Sequence, residues 1–329
     1  MLLASAFAIL TTLHGAAAPQ FAVKAHIHVG GPGRWDYLSF EPKSRRLFVA
    51  QGNRVAVIDC ATEKVVGFVD GLNGTHGVVF DVARNHGFVT NAGDSSVKVF
   101  DLKTLKVIGS VPTSQGPDGI VWDPATQQVV SFNGRGSDAT FIDAKTLTAA
   151  GTLALGGRPE FPAADGKGFI FDNIENTSEV VKINARTRKI VGRFKLTAEG
   201  PSGLAIDARN DITYSTCDGA MVVVDGKTGK VLGAPKIGEG PDAAGYDSKL
   251  GLAFSSNGSG TISVIGKTNK GYETVETIQT VPTARTMALD PDRHIIYLAA
   301  AKSGPAVAGQ RRAPSLPDTF EIVVVARKG

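Results

Sequence analysis

An all-β, seven-bladed propeller of four-stranded blades, its ring closed by the N-terminal strand pairing in the last blade, is the fold class that three observations predict for this 329-residue sequence. First, an acidic residue recurs as Glu41, Asp81, Asp123, Asp165, Asp207, Asp247 and Asp290, at intervals of 40, 42, 42, 42, 40 and 43 residues. Second, short apolar segments that alternate at period two stand between glycine-rich turns around each of these acids, and no segment sustains a helical period. Third, the last repeat ends one strand short, and an unclaimed strand-like segment lies near the N-terminus. Units of about 40 residues with four short strands bury their sheet edges by stacking radially.

Residues 2–13 form an almost uncharged apolar run, followed by Ala16, Ala17, Ala18 and Pro19. This reads as the apolar region and small-residue cleavage zone of a secretory signal, too short to span a bilayer. The expected organisation is a leader over 1–18 and one propeller domain over 19–329, periplasmic or secreted and monomeric. Residues 21–29 alternate Phe, Val, Ala, Ile and Val with Ala, Lys, His and His, as the strand that completes the seventh blade must. His26 and His28 share one side of it at a spacing that suits either a metal or an ordinary exposed strand face.

The second repeat shows the plan, with strand segments at 78–81, 87–91, 97–101 and 106–111. The seventh has only three, at 287–290, 294–300 and 321–326, which leaves room for the N-terminal strand. Its hairpin, residues 302–319, is far longer than the others and carries Pro305, Arg311, Arg312, Pro314 and Pro317. Such a loop is either a mobile surface segment or a lid whose arginines meet an anionic group.

Phe88-Val89-Thr90-Asn91, followed by Gly93, Asp94, Ser95 and Val97-Lys98-Val99-Phe100-Asp101, resembles the YVTN repeat of the YncE-like seven-bladed propellers. The same frame recurs imperfectly in repeats one and three to six, so the resemblance spans the chain after the leader. It implies an exported bacterial protein of this fold. Because the wider group includes lactonase-like propellers, it leaves both binding and hydrolysis open.

In a seven-fold ring, equivalent positions converge on one axis. Five residues before each recurrent acid stand Asp36, His76, Asp118, Glu160, Ser202, Asp242 and Arg285. Asp118, Ser202 and Asp242 belong to Gly-Pro turns and can simply bond their own backbone. His76, Glu160 and Arg285 depart from that turn and are the candidate functional residues. A second candidate ligand ring follows the second strands: Gln51, Asn91, Asn133, Asn173, Thr216, Ser256 and Ala300, whose amides and hydroxyls suit a polyol, a carboxylate or the local turn.

Charge narrows the partners. With 35 Lys+Arg against 31 Asp+Glu and no concentrated basic stripe, nucleic-acid binding is disfavoured. Only 2 Cys exclude a disulfide framework and a zinc cluster, and Cys60 and Cys217 fall in distant blades. Neither a phosphate loop nor a nucleophile elbow is present. Four carboxylates against one arginine at the ring favour a cationic or small polar guest, a divalent ion such as Ca or Mg held by Asp36, His76, Asp118, Glu160 and Asp242, or a periplasmic protein partner. The alternative is a lactonase-like hydrolase or lyase with His76 as general base, Glu160 as acid or metal ligand and Arg285 stabilising an oxyanion.

Overall fold

The computed structural model describes residues 20–31, 33–307, 309 and 313–328. The leader over 1–18 lies outside these residues, as do Arg311 and Arg312. Seven antiparallel four-stranded sheets account for the chain, six of them in simple sequential order. The seventh runs from the inner strand Thr286–Asp290 through Ile295–Ala300 and Glu321–Arg327 to the N-terminal Phe21–His28, which pairs with Glu321–Arg327 from Phe21↔Arg327 to His28↔Glu321. Both ends of the described chain are thus tied into one blade, and no blade is left short of a strand.

The first strand of each repeat is the inner one, and these seven follow one another in a closed ring. Two sets of side chains lock neighbouring blades. The second strands bury Phe48, Phe88, Val130, Phe171, Tyr214, Phe254 and Tyr297 at equivalent positions. The inner strands present Phe40, Phe80, Trp122, Ala164, Ile206, Tyr246 and Leu289, each directly before the recurrent acid or its equivalent. Each inner side chain leans on the preceding blade: Phe80 on Phe48 at 4.7 Å between ring centroids, Tyr246 on Tyr214 at 5.2 Å, Phe40 on Tyr297 at 6.0 Å. Large rings on both partners are what hold radial sheets together without covalent links. Cys60 and Cys217 are free.

The recurrent acids are structural. Glu41, Asp81, Asp123, Asp165, Asp207, Asp247 and Asp290 are all buried. Each accepts a backbone N–H two to four residues ahead, as Asp247 does from Lys249 at 2.9 Å and Leu250 at 3.0 Å. A short carboxylate mimics the missing carbonyl of the turn and satisfies donors that burial would otherwise orphan.

Candidate ligand site at the channel mouth

The inner strands enter the ring at their N-terminal ends, and the seven positions five residues before the recurrent acids gather there. They do not form a free acidic field. His76 Nδ1 donates to Asp36 Oδ2 and lies 3.3 Å from Asp118 Oδ1, so one imidazole is held by carboxylates of the two flanking blades. Burial alone would lower its pKa, but the hydrogen bonds to Asp118 and Asp36 overcome this and raise it to about 10. At neutral pH His76 is therefore an imidazolium, a proton donor rather than the general base that the sequence suggests. Arg285 Nε stands 2.6 Å from Asp242 Oδ2, and its guanidinium lies over the Trp35 ring at 4.9 Å. Ser202 Oγ donates to the Pro241 carbonyl of the next blade at 3.0 Å, a contact between blades and not the bond to its own turn that the sequence suggests.

Glu160 is different. Burial, then the charges of Asp118, Asp242 and Asp36, push its carboxyl up to about 8, so it is protonated at neutral pH. Burial likewise raises Asp118, against the pull of His76. At the mouth Asp36 and Asp118 pair with His76 and Asp242 pairs with Arg285, with Arg34 nearby, so the expected four acids to one arginine are not left as a free acidic ring.

The channel is plugged. One residue further along the inner strands stand Tyr37, Gly77, Gly119, Phe161, Gly203, Ala243 and Thr286. The glycines are required by close approach: a Cβ on Gly203 would sit 2.4 Å from the Ala243 carbonyl carbon, and one on Gly119 would sit 2.7 Å from the Glu160 carbonyl oxygen. Tyr37 of blade one and Phe161 of blade four break this pattern. Their rings meet at 4.8 Å, and the Tyr37 hydroxyl donates to the Glu160 carbonyl at 2.9 Å. Burial first, then Asp118, Glu160, Asp36 and Asp242, raise the Tyr37 pKa, as expected of a phenol close to all four mouth carboxyls. This pair lines a cavity of about 460 Å³ in the apolar lower channel, with Phe40, Phe80 and Trp122.

A larger cavity of about 860 Å³ opens at the mouth, off the axis. Trp35, Asp36, His76 and Arg285 line it, with Arg34, Ser303 and Ser315. The described arms of the long hairpin of blade seven reach the site: the Ser315 hydroxyl donates to the Gly33 carbonyl at 2.7 Å, and Ser303 pairs with Ser315. Asp118, Glu160, Ser202 and Asp242 do not line this cavity.

The second expected ring divides into two registers. The turn between first and second strands of blade four is one residue shorter, so Asn173 occupies the position of Thr90, Thr216 and Ser256, not that of Asn91 and Asn133. A one-residue slip turns a side chain to the opposite face. Asn173 Nδ2 accordingly donates to the Ser202 and Gly203 carbonyls of the next blade, at 3.1 and 3.0 Å. Asn91 accepts from the Asn73 N–H at 2.6 Å, and Asn133 donates to Asp138 at 2.7 Å and Thr140 at 2.9 Å. All three amides are fully buried and serve the fold in this state.

One residue passed over in the sequence is Asp172. It stands where blades one to three and five to seven carry Val49, Val89, Ser131, Ser215, Ser255 and Leu298. It is 0% exposed, and neither carboxyl oxygen has a hydrogen-bond partner among the described residues. Burial first, then Glu160 and Asp118, raise its pKa well above the carboxylate range. The signal was available as a lone acid in the apolar run Phe169–Ile174.

His26 and His28 reach two separate acids, Glu321 at 3.2 Å and Asp318 at 3.7 Å. Among the described residues, the one group of three or more potential metal-ligating side chains is Asp36, His76 and Asp118, with donor atoms within 4.8 Å of one another.

No helix among the described residues is long and apolar enough to cross a membrane. No protein-family model matches the chain, and no curated protein matches it in sequence. Solved structures resemble it in fold. A chain of the mitotic checkpoint complex aligns with a TM-score of 0.77 at 12% identity, over 100% of this chain and 98% of its own length. U3-55K aligns at 0.77 and 8% identity, over 93% and 99%. A chain of Kuenenia stuttgartiensis hydrazine synthase aligns at 0.72 and 15% identity, over 84% and 94%. Identities this low speak to architecture alone, and the architecture they share is the β-propeller, a common scaffold for binding ligands and proteins.

Proposed function

We propose that this chain is an exported, YncE-like binding propeller that holds a small polar ligand at the channel mouth, between the ring and the blade-seven hairpin. The observation that carries the reading is the 860 Å³ cavity, within the range of small-molecule sites, with charged and hydroxyl side chains on its walls and Ser303 and Ser315 at its edge. Export rests on the leader pattern at 1–18, and the family resemblance on the repeat. Hydrolysis is less well supported, because His76 as an imidazolium and Glu160 as a neutral acid leave the pair without a base.

The proximity of Asp36, His76 and Asp118 favours one second reading, a divalent cation. Residue types and charge fit such an ion, but His76 Nδ1 must first give up the proton it shares with the two carboxylates, so affinity would rise with pH.

The test is a thermal-shift screen of the full chain with small polar molecules and with Ca, Mg, Mn and Zn. Its control is a variant in which residues 303–315 are replaced by a short Gly-Ser linker. Small molecules should stabilise the wild type and lose that effect in the linker variant, whose unliganded melting temperature stays within a few degrees. Stabilisation by a metal alone, abolished in His76→Gln, would put the cation reading first. No stabilisation by any compound would sink both.

A further inference from the structure

We propose that the ligand of the mouth cavity carries a carboxylate, captured by the Arg285 guanidinium and the Trp35 indole N–H. The inference rests on the binding reading and names its ligand class. The cavity wall has an excess of hydrogen-bond donors. Trp35 is only 8% exposed, lines the cavity, and its indole Nε1 has no acceptor among the described residues. A buried indole N–H normally finds a partner. His76 lines the same wall and is held through Nδ1 by Asp36 and Asp118. Arg285 is oriented by Asp242 at its Nε and by the Trp35 ring beneath it, while Nη2 reaches only the Trp35 carbonyl, at 3.5 Å, the long limit of a hydrogen bond.

Arg34 and Arg285 line the cavity against one acid, Asp36, which is bonded to His76. The carboxylates nearby are already committed, Asp36 and Asp118 to His76 and Asp242 to Arg285. Such a wall wants a guest rich in acceptors with negative charge, and a guanidinium fork whose plane is fixed by stacking matches a planar carboxylate. A carboxylate fits better than a phosphate dianion, because Asp36, Asp118 and Asp242 stand close to the site and repel each further negative charge.

The experiment is isothermal titration calorimetry on the full chain with acetate, glycolate and gluconate, against inorganic phosphate, ethanolamine and glycerol. Carboxylates should bind and the amine and the polyol should not. Trp35→Phe removes the N–H while keeping the ring, and should weaken carboxylate binding roughly tenfold. Arg285→Lys keeps the charge but loses the fork, and should cost at least as much. Both variants should melt within a few degrees of wild type. If ethanolamine or glycerol binds while carboxylates do not, the ligand class is wrong although the site is real. Phosphate bound more tightly than gluconate, or carboxylate binding indifferent to both substitutions, also overturns the proposal. Absence of any heat from all six probes, together with a blank thermal-shift screen, would remove the binding reading itself.

Discussion

Two rings of polar residues stand at opposite ends of the same seven inner strands, five residues apart, and do opposite things. At the lower end the recurrent acids are buried, repeat without exception, and turn inward to the backbone N–H groups of their own turns. At the upper end Asp36, His76, Asp118, Glu160, Ser202, Asp242 and Arg285 vary from blade to blade, and four of the pairings cross between blades: His76 with Asp36 and with Asp118, Arg285 with Asp242, and Ser202 with Pro241. A position filled by an acid in all seven repeats, glutamate once and aspartate six times, answers a demand made seven times, and only the fold makes such a demand. A position that breaks the repeat answers something that happens once around the ring.

The largest effect should come from breaking the lower ring. Asp247 accepts from Lys249 N–H, Leu250 N–H and, at 2.6 Å, His294 Nδ1 of the next blade. Asp247→Ala removes three hydrogen bonds at a 0% exposed position and should cost about 2–4 kcal/mol in urea unfolding. Ser202→Ala at the upper ring should cost under about 1 kcal/mol. Equal losses from the two would erase the distinction between the rings.

Much of this was legible beforehand, for an identifiable reason. Blade number, inner strands and the N-terminal closure follow from a repeat with a recurrent acid, because a turn that must be stapled leaves a carboxylate every time. The mouth residues were legible as departures from the turn, but their charges were not: pairing of His76 with Asp36 and Asp118 depends on adjacency across blades that strand spacing does not convey. The Asn173 register was lost to a one-residue difference in a turn. Tyr37 and Phe161 stood in plain sight as two large residues in a small-residue series, and so did Asp172.

Asp172 sharpens the comparison from the other side, as an acid that belongs to neither ring. Its two oxygens are buried with no partner among the described residues, whereas two sister blades use valine at that position. Asp172→Val should raise stability by about 1–3 kcal/mol, the ordinary cost of an unsatisfied buried polar group. A drop in the urea midpoint would mean that the carboxyl is anchored after all and that blade four carries a functional acid within its wall.

The smallest and most specific effect is on pH. Acids at the outer turns, Asp59, Asp101, Asp143 and Asp225, are held below the usual carboxylate range by the backbone N–H groups they cap, so they favour the folded state above about pH 4 and lose that contribution as pH falls. Glu160 works the other way. With a folded value of about 8 against an ordinary 4.5, it binds more protons folded than unfolded, so its contribution is full at low pH and is lost as pH rises from 4.5 towards 8. His76, at about 10 against 6.5, loses its contribution over the next interval upward. Stability should therefore peak in mildly acidic solution and decline towards pH 10. Glu160→Gln keeps the shape and the neutral state, and should flatten only the part of the decline below pH 8, leaving the His76 limb intact. Denaturation midpoints at each pH from 5 to 9 read this directly. Superimposable wild-type and variant profiles would show that Glu160 is ionised like any surface acid, and the upper ring would then carry the net negative charge that its composition suggests.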